Sequence, residues 1–312
     1  EWLTLAFMIS IVGGAVVSPI AGRMVDRGVS RWLLSSGMAI GALALVGLGA
    51  AQSYCVFVIC WIFLGVAQGL SLYEPCLAFV TRTTSDQAPG NIARITLLAG
   101  FASTIALPAG ALLAETIGWR GTTWVFATIV GFVGAPVLYA GVTLIESHTG
   151  DRPANEAASQ DMRAYRTVRR RPEFWLLYVV FPLISFTAGL ILIHIIPILT
   201  DAGMSLEEAV AVVALFGPMQ VVGRLAMMRL VRRTQSLAMT AVSFSGVFAA
   251  VLMLMVVDDI PVAAFAFSIL FGACYGVVSI LKPLVTYEIL GREAFGKITG
   301  AMAVPFLIAL AV

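Results

Sequence analysis

Trp2–Ala21 reads WLTLAFMISIVGGAVVSPIA and runs directly into Gly22-Arg23-Met24-Val25-Asp26-Arg27-Gly28-Val29-Ser30-Arg31. The first stretch carries no charge over 20 residues, about the length a helix needs to cross the ~30 Å hydrocarbon core of a bilayer. The second holds three arginines and an aspartate within ten residues, so it marks where the chain leaves the lipid. The same pattern, a long apolar run closed by a short charged segment, recurs along the chain and decides the fold: an all-α polytopic membrane protein. A β-barrel is disfavoured because the runs are continuous and lack the apolar/polar alternation of barrel strands.

Composition agrees. Of 312 residues, 60% are hydrophobic and 12% charged, and the mean hydropathy is +0.98. Soluble domains carry roughly 25% charged residues, so a secreted enzyme, a nucleic-acid reader and a disordered scaffold are excluded. The net charge of +2 says less than the positions of the charges. Cys55, Cys60, Cys76 and Cys274 lie in apolar runs without metal-ligand spacing and read as small buried hydrophobes. Neither a cofactor nor a metal is called for. The chain opens Glu1-Trp2 without a signal peptide and reads as a fragment.

Further spans follow outward from the first. Trp32–Tyr73 is too long for one crossing and divides at Gln52-Ser53. Ile95–Ala114 and Gly121–Ile145 come next. The polar segment Glu146–Glu173, with six arginines and five acids, separates these from Phe174–Thr200, 204–229, 236–257, 260–287 and a last run from Ile298. That is ten helices, the last incomplete. If each span crosses, 16 of the 19 lysines and arginines fall on one side, which the positive-inside rule makes cytoplasmic. They are Arg23, Arg27, Arg31, Arg82, Arg94, the linker arginines 152, 163, 166, 169, 170 and 171, Arg229, Arg232, Arg233, Arg292 and Lys297. The chain is accordingly expected in the inner (plasma) membrane with its central linker in the cytoplasm. Asp161–Arg171 is suited to a basic surface helix against anionic headgroups.

Gly22-Arg23 recurs as Gly223-Arg224, 201 positions later, again at the end of a span and followed by clustered arginines. With the central linker, this implies two related halves: residues 1–145, a linker at 146–173, and 174–312. Two spans separate the linker from Gly223, whereas one precedes Gly22. A symmetric molecule of six plus six helices would then have one more helix before this chain, the rest of the eleventh and a twelfth after it.

On these residues the chain resembles the major facilitator superfamily of secondary transporters, over essentially its whole length. Gly22, Asp26, Arg27 and Arg31 are similar to that family's signature loop between the second and third helices, which implies a cytoplasmic gate. Here the second glycine is Gly28, one place early. Gly100, Pro108 and Gly110 resemble the fifth-helix signature associated with antiporters, with Leu107 and Ala111 in place of two of its glycines. Gly118-Trp119-Arg120-Gly121 matches the usual external turn into the sixth helix. Tyr73-Glu74-Pro75, Gln220-Val221-Val222-Gly223-Arg224 and Phe295-Gly296-Lys297 are similar to the bacterial relatives of monocarboxylate and oxalate/formate carriers. In those carriers the arginine of the eighth helix is a substrate-anion ligand. The resemblance implies two six-helix bundles related by a pseudo-twofold, with the substrate path between them.

Charges at membrane depth cost at least ~2.5–3.5 kcal/mol on insertion scales, so each needs a reason. Arg224 lies five residues, about 7.5 Å of helix, above Arg229. Its planar fork suits a carboxylate; the alternative is snorkelling or bracing the next loop. Gln220, four residues earlier, shares its face. Glu74 precedes Pro75 and is either a proton carrier or the structural partner of Lys282 or Arg94. Lys282 is a second anion contact or snorkels. His194 is a hydrogen-bonded packing residue or a proton-coupling group and substrate contact. Tyr73 and Tyr275 can offer neutral hydrogen bonds. Gly65-x-x-x-Gly69 allows close helix approach, and Ser205-Leu206-Glu207-Glu208 is a capping box.

The function that follows is a monomeric secondary transporter moving a small organic, monocarboxylate-like anion with a proton by alternating access. The alternative is efflux of amphipathic drugs. Its partners are the lipid bilayer, the anion and the proton. An enzyme would need clustered catalytic groups that the spans do not carry, and a channel would need a filter-like loop.

Overall fold

The computed structural model describes residues 2–84, 87–149, 154–230 and 235–311; within these, the side chains of 2–4, 100, 101, 103, 104, 107, 148, 149 and 154–161 lie outside the description. Arg152, Arg232 and Arg233, which the charge asymmetry drew on, therefore lie outside the described residues, as does the structure around Glu1.

The described chain is helical, with no strand among the described residues. The helices are α1 (Trp2–Asp26), α2 (Ser30–Ala50), α3 (Tyr54–Ser71), α4 (Tyr73–Thr84), α5 (Ala88–Thr128), α6 (Ala135–Thr149), α7 (Ala154–Arg169), α8 (Pro172–Asp201), α9 (Leu206–Ala214), α10 (Phe216–Leu230), α11 (Ser236–Leu254), α12 (Val262–Leu290) and α13 (Phe295–Ala311), with a π-helical turn at Ile129–Gly134 between α5 and α6. Eight described helical stretches are long and apolar enough to cross a membrane, and Phe295–Ala311 is a shorter apolar helix. The chain is a multi-pass membrane protein.

Two places refine the spans read from sequence. The turn expected at Gly118–Gly121 is made by Gly118 alone, at φ 74° and ψ 164°, so one helix bends there and resumes at once. A left-handed backbone of this kind is open to glycine at little cost. In the fourth family helix, Leu72 is extended (φ −94°, ψ −153°) and breaks α3 from α4. Pro75 then falls in the first turn of α4, where its missing N–H removes no helical bond. The helix is interrupted just ahead of the proline instead of bent at it. Cys60 is buried, but Cys55, expected inside, is exposed on the first turn of α3. An apolar run fixes a span but not which face of it turns inward.

The chain divides into two compact units. One comprises Glu1–Ala88, Pro108–Ser185 and Ile289–Val312; the other comprises Pro89–Leu107 and Phe186–Glu288. In the first, α1 and α3 meet where Gly65 lies so close to the Ser10 carbonyl that a Cβ would come within 2.0 Å of its oxygen. Gly14 and Gly69 line the same crossing, a small-residue contact that lets backbones touch. In the second unit, α10 and α12 meet the same way: a Cβ on Gly223 would reach 2.0 Å from the Ala273 oxygen, and one on Gly276 would reach 2.6 Å from Gln220 Cα. Beside this crossing Phe216, Phe267, Phe271 and Tyr275 form a continuous aromatic ladder.

Candidate functional site

The α10–α12 crossing holds Arg224. It is 9% exposed, and its Nε donates to the Gly276 carbonyl at 2.9 Å. Nη2 reaches the Gln220 side-chain oxygen at 3.5 Å, one helical turn away. Gly276 is what makes the first bond possible, because a side chain there would push α10 off α12. The arginine is thus fixed by its Nε edge, while most of the guanidinium fork keeps donors for a further acceptor. Tyr275 adjoins Gly276 in sequence and stacks on Phe271 with centroids 5.5 Å apart.

The remaining predicted residues are placed as follows. Lys282 is 9% exposed, on α12, six residues beyond Gly276. His194 is exposed on α8. Tyr73 is 38% exposed and Glu74 half-buried, both in the first turn of α4. Among the described residues, the hydrogen-bond partners of Arg224 are Gly276 and Gln220. The structure therefore joins Gln220 to Arg224 and leaves Tyr73, His194 and Lys282 outside that hydrogen-bonded pair. Gly100 lies in α5, among residues whose side chains are outside the description; Pro108 is exposed and Gly110 half-buried farther along the same helix. In the first unit, a largely apolar cavity of about 210 Å³ is lined by α2, α3 and the π-helical turn, including Gly41, Leu45, Ala67 and Val130, with Gln68 as its main polar side chain.

A second constellation forms at the end of α1. Asp26 accepts from the backbone N–H of Gly296 (3.1 Å) and of Lys297 (2.8 Å), the second and third residues of α13. These are the donors a helix N-cap ordinarily satisfies. Ala294, just before α13, has φ 53° and no capping group, so the cap comes from a residue 270 positions away. A carboxylate also suits the positive end of the helix dipole. Close approach is again glycine-made: a Cβ on Gly22 would meet the Gly296 oxygen at 2.0 Å. Arg27 and Arg31 are exposed.

Sequence reasoning missed two groups here. Arg82, at the end of α4, donates to the Val25 carbonyl at 2.8 Å, a cation on the C-terminus of α1. Gly28 makes that possible twice over: at φ 85° it closes α1 with a left-handed residue, and a Cβ there would lie 2.8 Å from Arg82 Nη2. The early position of this glycine was the available signal. Lys297 is 8% exposed, with Nζ 4.5 Å from the Tyr165 ring centroid and 2.8 Å from Met162 Sδ. Both belong to the linker helix α7. Burial works most strongly against its charge, followed by repulsion from Arg23; Asp26 supports it, and Arg166 and Arg27 oppose it more weakly.

Comparison with known proteins places this architecture. The family profile for the Major Facilitator Superfamily matches residues 1–312. Multidrug resistance protein MdtG of Escherichia coli O17:K52:H18 (strain UMN026 / ExPEC) is 28% identical over 204 residues, 64% of this chain and 46% of that protein. The chain spans about half the length of this curated relative. Among solved structures, the human organic anion transporter MFSD10 (TETRAN) has a TM-score of 0.72 at 15% identity, covering 99% of this chain and 75% of that one. The proton:xylose symporter XylE gives 0.69 at 13% identity, covering 98% and 76%. FucP, a transporter captured in its outward conformation, gives 0.63 at 12% identity, covering 99% and 89%. At such identities the structural likeness speaks to fold alone.

Proposed function

Because the chain belongs to the Major Facilitator Superfamily, a family of transporters and not of enzymes, we propose that it is a secondary transporter of a small organic anion. Two bundles, 1–145 and 174–312, rock about the substrate in alternating access, with the 146–173 linker on the cytoplasmic side of the inner membrane. The observation that carries the anion reading is Arg224. A buried arginine pinned by Nε to a backbone carbonyl has its direction set in advance, and its outer nitrogens can fork onto a carboxylate. Gln220 adds a neutral contact. Tyr73 and Lys282 are further substrate contacts, and Glu74 and His194 are the candidates to carry the coupled proton. The protein acts as a monomer.

Asp26 is the latch of the cytoplasmic gate, with Gly22, Arg27 and Arg31. Capped by Asp26, α13 is held against α1; losing the cap exposes two orphan N–H groups and frees the pair to part. On this reading the Asp26–α13 contact corresponds to the closed latch.

Efflux of amphipathic compounds is the second reading. Similarity to a multidrug resistance protein and the apolar cavity lined by Leu45 and Val130 favour it. The two readings separate on Arg224. A bidentate charged bond contributes ~1.5–3 kcal/mol, so Arg224→Ala in the full-length protein should weaken carboxylate binding about ten- to a hundredfold. Arg224→Lys should restore only part, because an ammonium keeps charge without the fork. Binding of a neutral amphiphile should not change. If alanine binds a panel of small carboxylates as well as arginine does, at matched membrane expression, the anion reading fails and efflux takes its place.

A further inference from the structure

Arg23 and Arg27 are exposed at the end of α1, and Arg166 is exposed on α7. All three flank contacts of the buried Lys297: its backbone N–H donates to Asp26 at 2.8 Å, between Arg23 and Arg27 in sequence, and its Nζ lies 4.5 Å from the ring of Tyr165, the neighbour of Arg166. Four cations therefore lie on the segments joined at Lys297, and the carboxylate among them, Asp26, is engaged by two backbone N–H groups of α13. Arg171, by contrast, pairs with Glu173 at 3.4 Å. A surplus of positive charge this concentrated calls for an anion.

The surroundings say which kind. Val12, Val16 and Ile20 are exposed on α1 at 44%, 64% and 53%, and their spacing continues through Arg23 and Arg27 along one helix face. An apolar stripe capped by two guanidinium groups has the layout of a phospholipid, acyl chain below and phosphate above. The level also fits. Trp32 opens α2, pairs with Tyr139 at 5.2 Å and lies 6.0 Å from the Arg31 guanidinium. Trp175 opens α8, pairs with Tyr178 at 5.4 Å and donates its indole N–H to the Arg169 carbonyl. Aromatic residues beside arginines at the ends of spans mark the headgroup layer.

We propose that Arg23, Arg27 and Arg166, gathered around Lys297, bind the phosphate of an anionic phospholipid in the leaflet that faces the linker. Guanidinium forks match phosphate oxygens bidentately, and the α1 stripe holds an acyl chain. The bound phosphate offsets the repulsion that surrounds Lys297, and so steadies α7 and the first turn of α13. The binding site stands on the cation cluster alone; its effect on gating rests on the latch reading above.

The test is native mass spectrometry of the full-length protein with dioleoylphosphatidylglycerol or dioleoylphosphatidylcholine. Phosphatidylglycerol should be retained preferentially. Each of Arg23→Gln, Arg27→Gln and Arg166→Gln should weaken its retention about fivefold, while Arg171→Gln, whose arginine already has Glu173, should change it little. Equal retention of the two lipids by the wild type overturns the proposal. Equal weakening by Arg171→Gln also overturns it, because it reports diffuse attraction to a basic surface. Full displacement by inorganic phosphate overturns it in favour of a soluble anion. Maleimide labelling of Thr299→Cys, in a background without native cysteines, reads the gate. Selective retention with labelling unaffected by phosphatidylglycerol upholds the site and counts against the latch.

Discussion

Gly22-Arg23 and Gly223-Arg224 are the same dipeptide at the end of a span, yet they have opposite fates. Both glycines let a neighbouring backbone come within what would be 2.0 Å of a Cβ. The neighbour of Gly22 is α13, and there Arg23 is exposed while Asp26, four residues after Gly22, caps the helix. The neighbour of Gly223 is α12, and there Arg224 is buried against the Gly276 carbonyl. The position matching Asp26 is Met227, 4% exposed, in an apolar cluster with Ala93, Met239, Val277 and Leu284. A repeated sequence fixes the close approach; the helix it approaches decides whether the adjacent polar group is a buried, hydrogen-bonded arginine or a carboxylate capping a helix end.

The strongest way to break this comparison is to transplant the acid. Met227→Asp puts a carboxylate among apolar side chains that offer no capping donor in that cluster. A buried charge without a partner destabilises by about 3–5 kcal/mol, so the variant should lose most of its folded yield and unfold at markedly lower temperature in detergent. A variant as stable as wild type would mean that the second unit has its own charged latch and that the asymmetry is false.

Next in size are the two glycines. Gly22→Ala and Gly223→Ala should each cost about 1–3 kcal/mol, the usual range for overpacking, because the obstacle is backbone and cannot swing away. The comparison predicts similar losses of thermal stability but different functional losses. Gly223→Ala should also weaken carboxylate binding by moving α10 against the Arg224–Gly276 bond, whereas Gly22→Ala should leave binding intact and loosen the latch. Equal effects on binding would show that the two crossings are mechanically one.

Much of this was legible in the sequence. Charge-free runs located the apolar helices, although eight stretches among the described residues are long enough to span against ten expected, because Ile95–Ala114 and the start of Gly121–Ile145 share one helix bent at Gly118. The Gly-Arg repeat pointed to two comparable crossings, and four-residue spacing put Gln220 beside Arg224. What was not legible depends on which helices pack together. The Gly276 carbonyl is 52 residues from Arg224, and the donors on Asp26 are 270 and 271 away. Periodicity identifies a helix and its faces but carries no record of a partner at that distance. The same limit hides Arg82 at the Val25 carbonyl and Lys297 against Tyr165, contacts that the positions of these cations in the sequence do not reveal. The π-helical turn at Ile129–Gly134 has no local sequence cue either, since its residues suit an ordinary α-helix equally well.

A smaller effect is expected from Asp26→Asn. Asparagine keeps one carbonyl oxygen for one of the two N–H groups but loses the charge and the second acceptor. Charge at a helix terminus is worth about 0.3–1 kcal/mol when exposed and up to ~2 kcal/mol when partly buried. That corresponds to roughly a two- to thirtyfold shift in the latch equilibrium. Insertion and thermal stability should be nearly unchanged, and Thr299→Cys should label faster from the linker side. Met227→Leu in the second unit is the matched control and should leave labelling as it was. Labelling unaffected by Asp26→Asn would reduce the Asp26 contact to a static cap.

The smallest expected effect concerns the ring over Lys297. Tyr165 has that ammonium 4.5 Å from its ring centroid and meets Phe174 in a T-shaped pair with centroids 6.5 Å apart. An ammonium over an aromatic face gains about 0.5–1 kcal/mol at exposed sites and more when desolvated. Tyr165→Leu removes the π face but preserves apolar bulk, whereas Tyr165→Phe keeps the face and loses only the hydroxyl. If the ring's quadrupole holds the linker helix on the latch, leucine should raise the acylation rate of Lys297, read by mass spectrometry, by about two- to fivefold. Phenylalanine should leave that rate close to wild type. If Arg224, in the other unit, is the anion ligand proposed, it should bind a carboxylate equally well in both variants, which keeps the two ends of the comparison separate. Should phenylalanine and leucine expose Lys297 to the same degree, the contact depends on the tyrosine hydroxyl or on packing alone, and the linker helix has no charge-sensitive hold on α13.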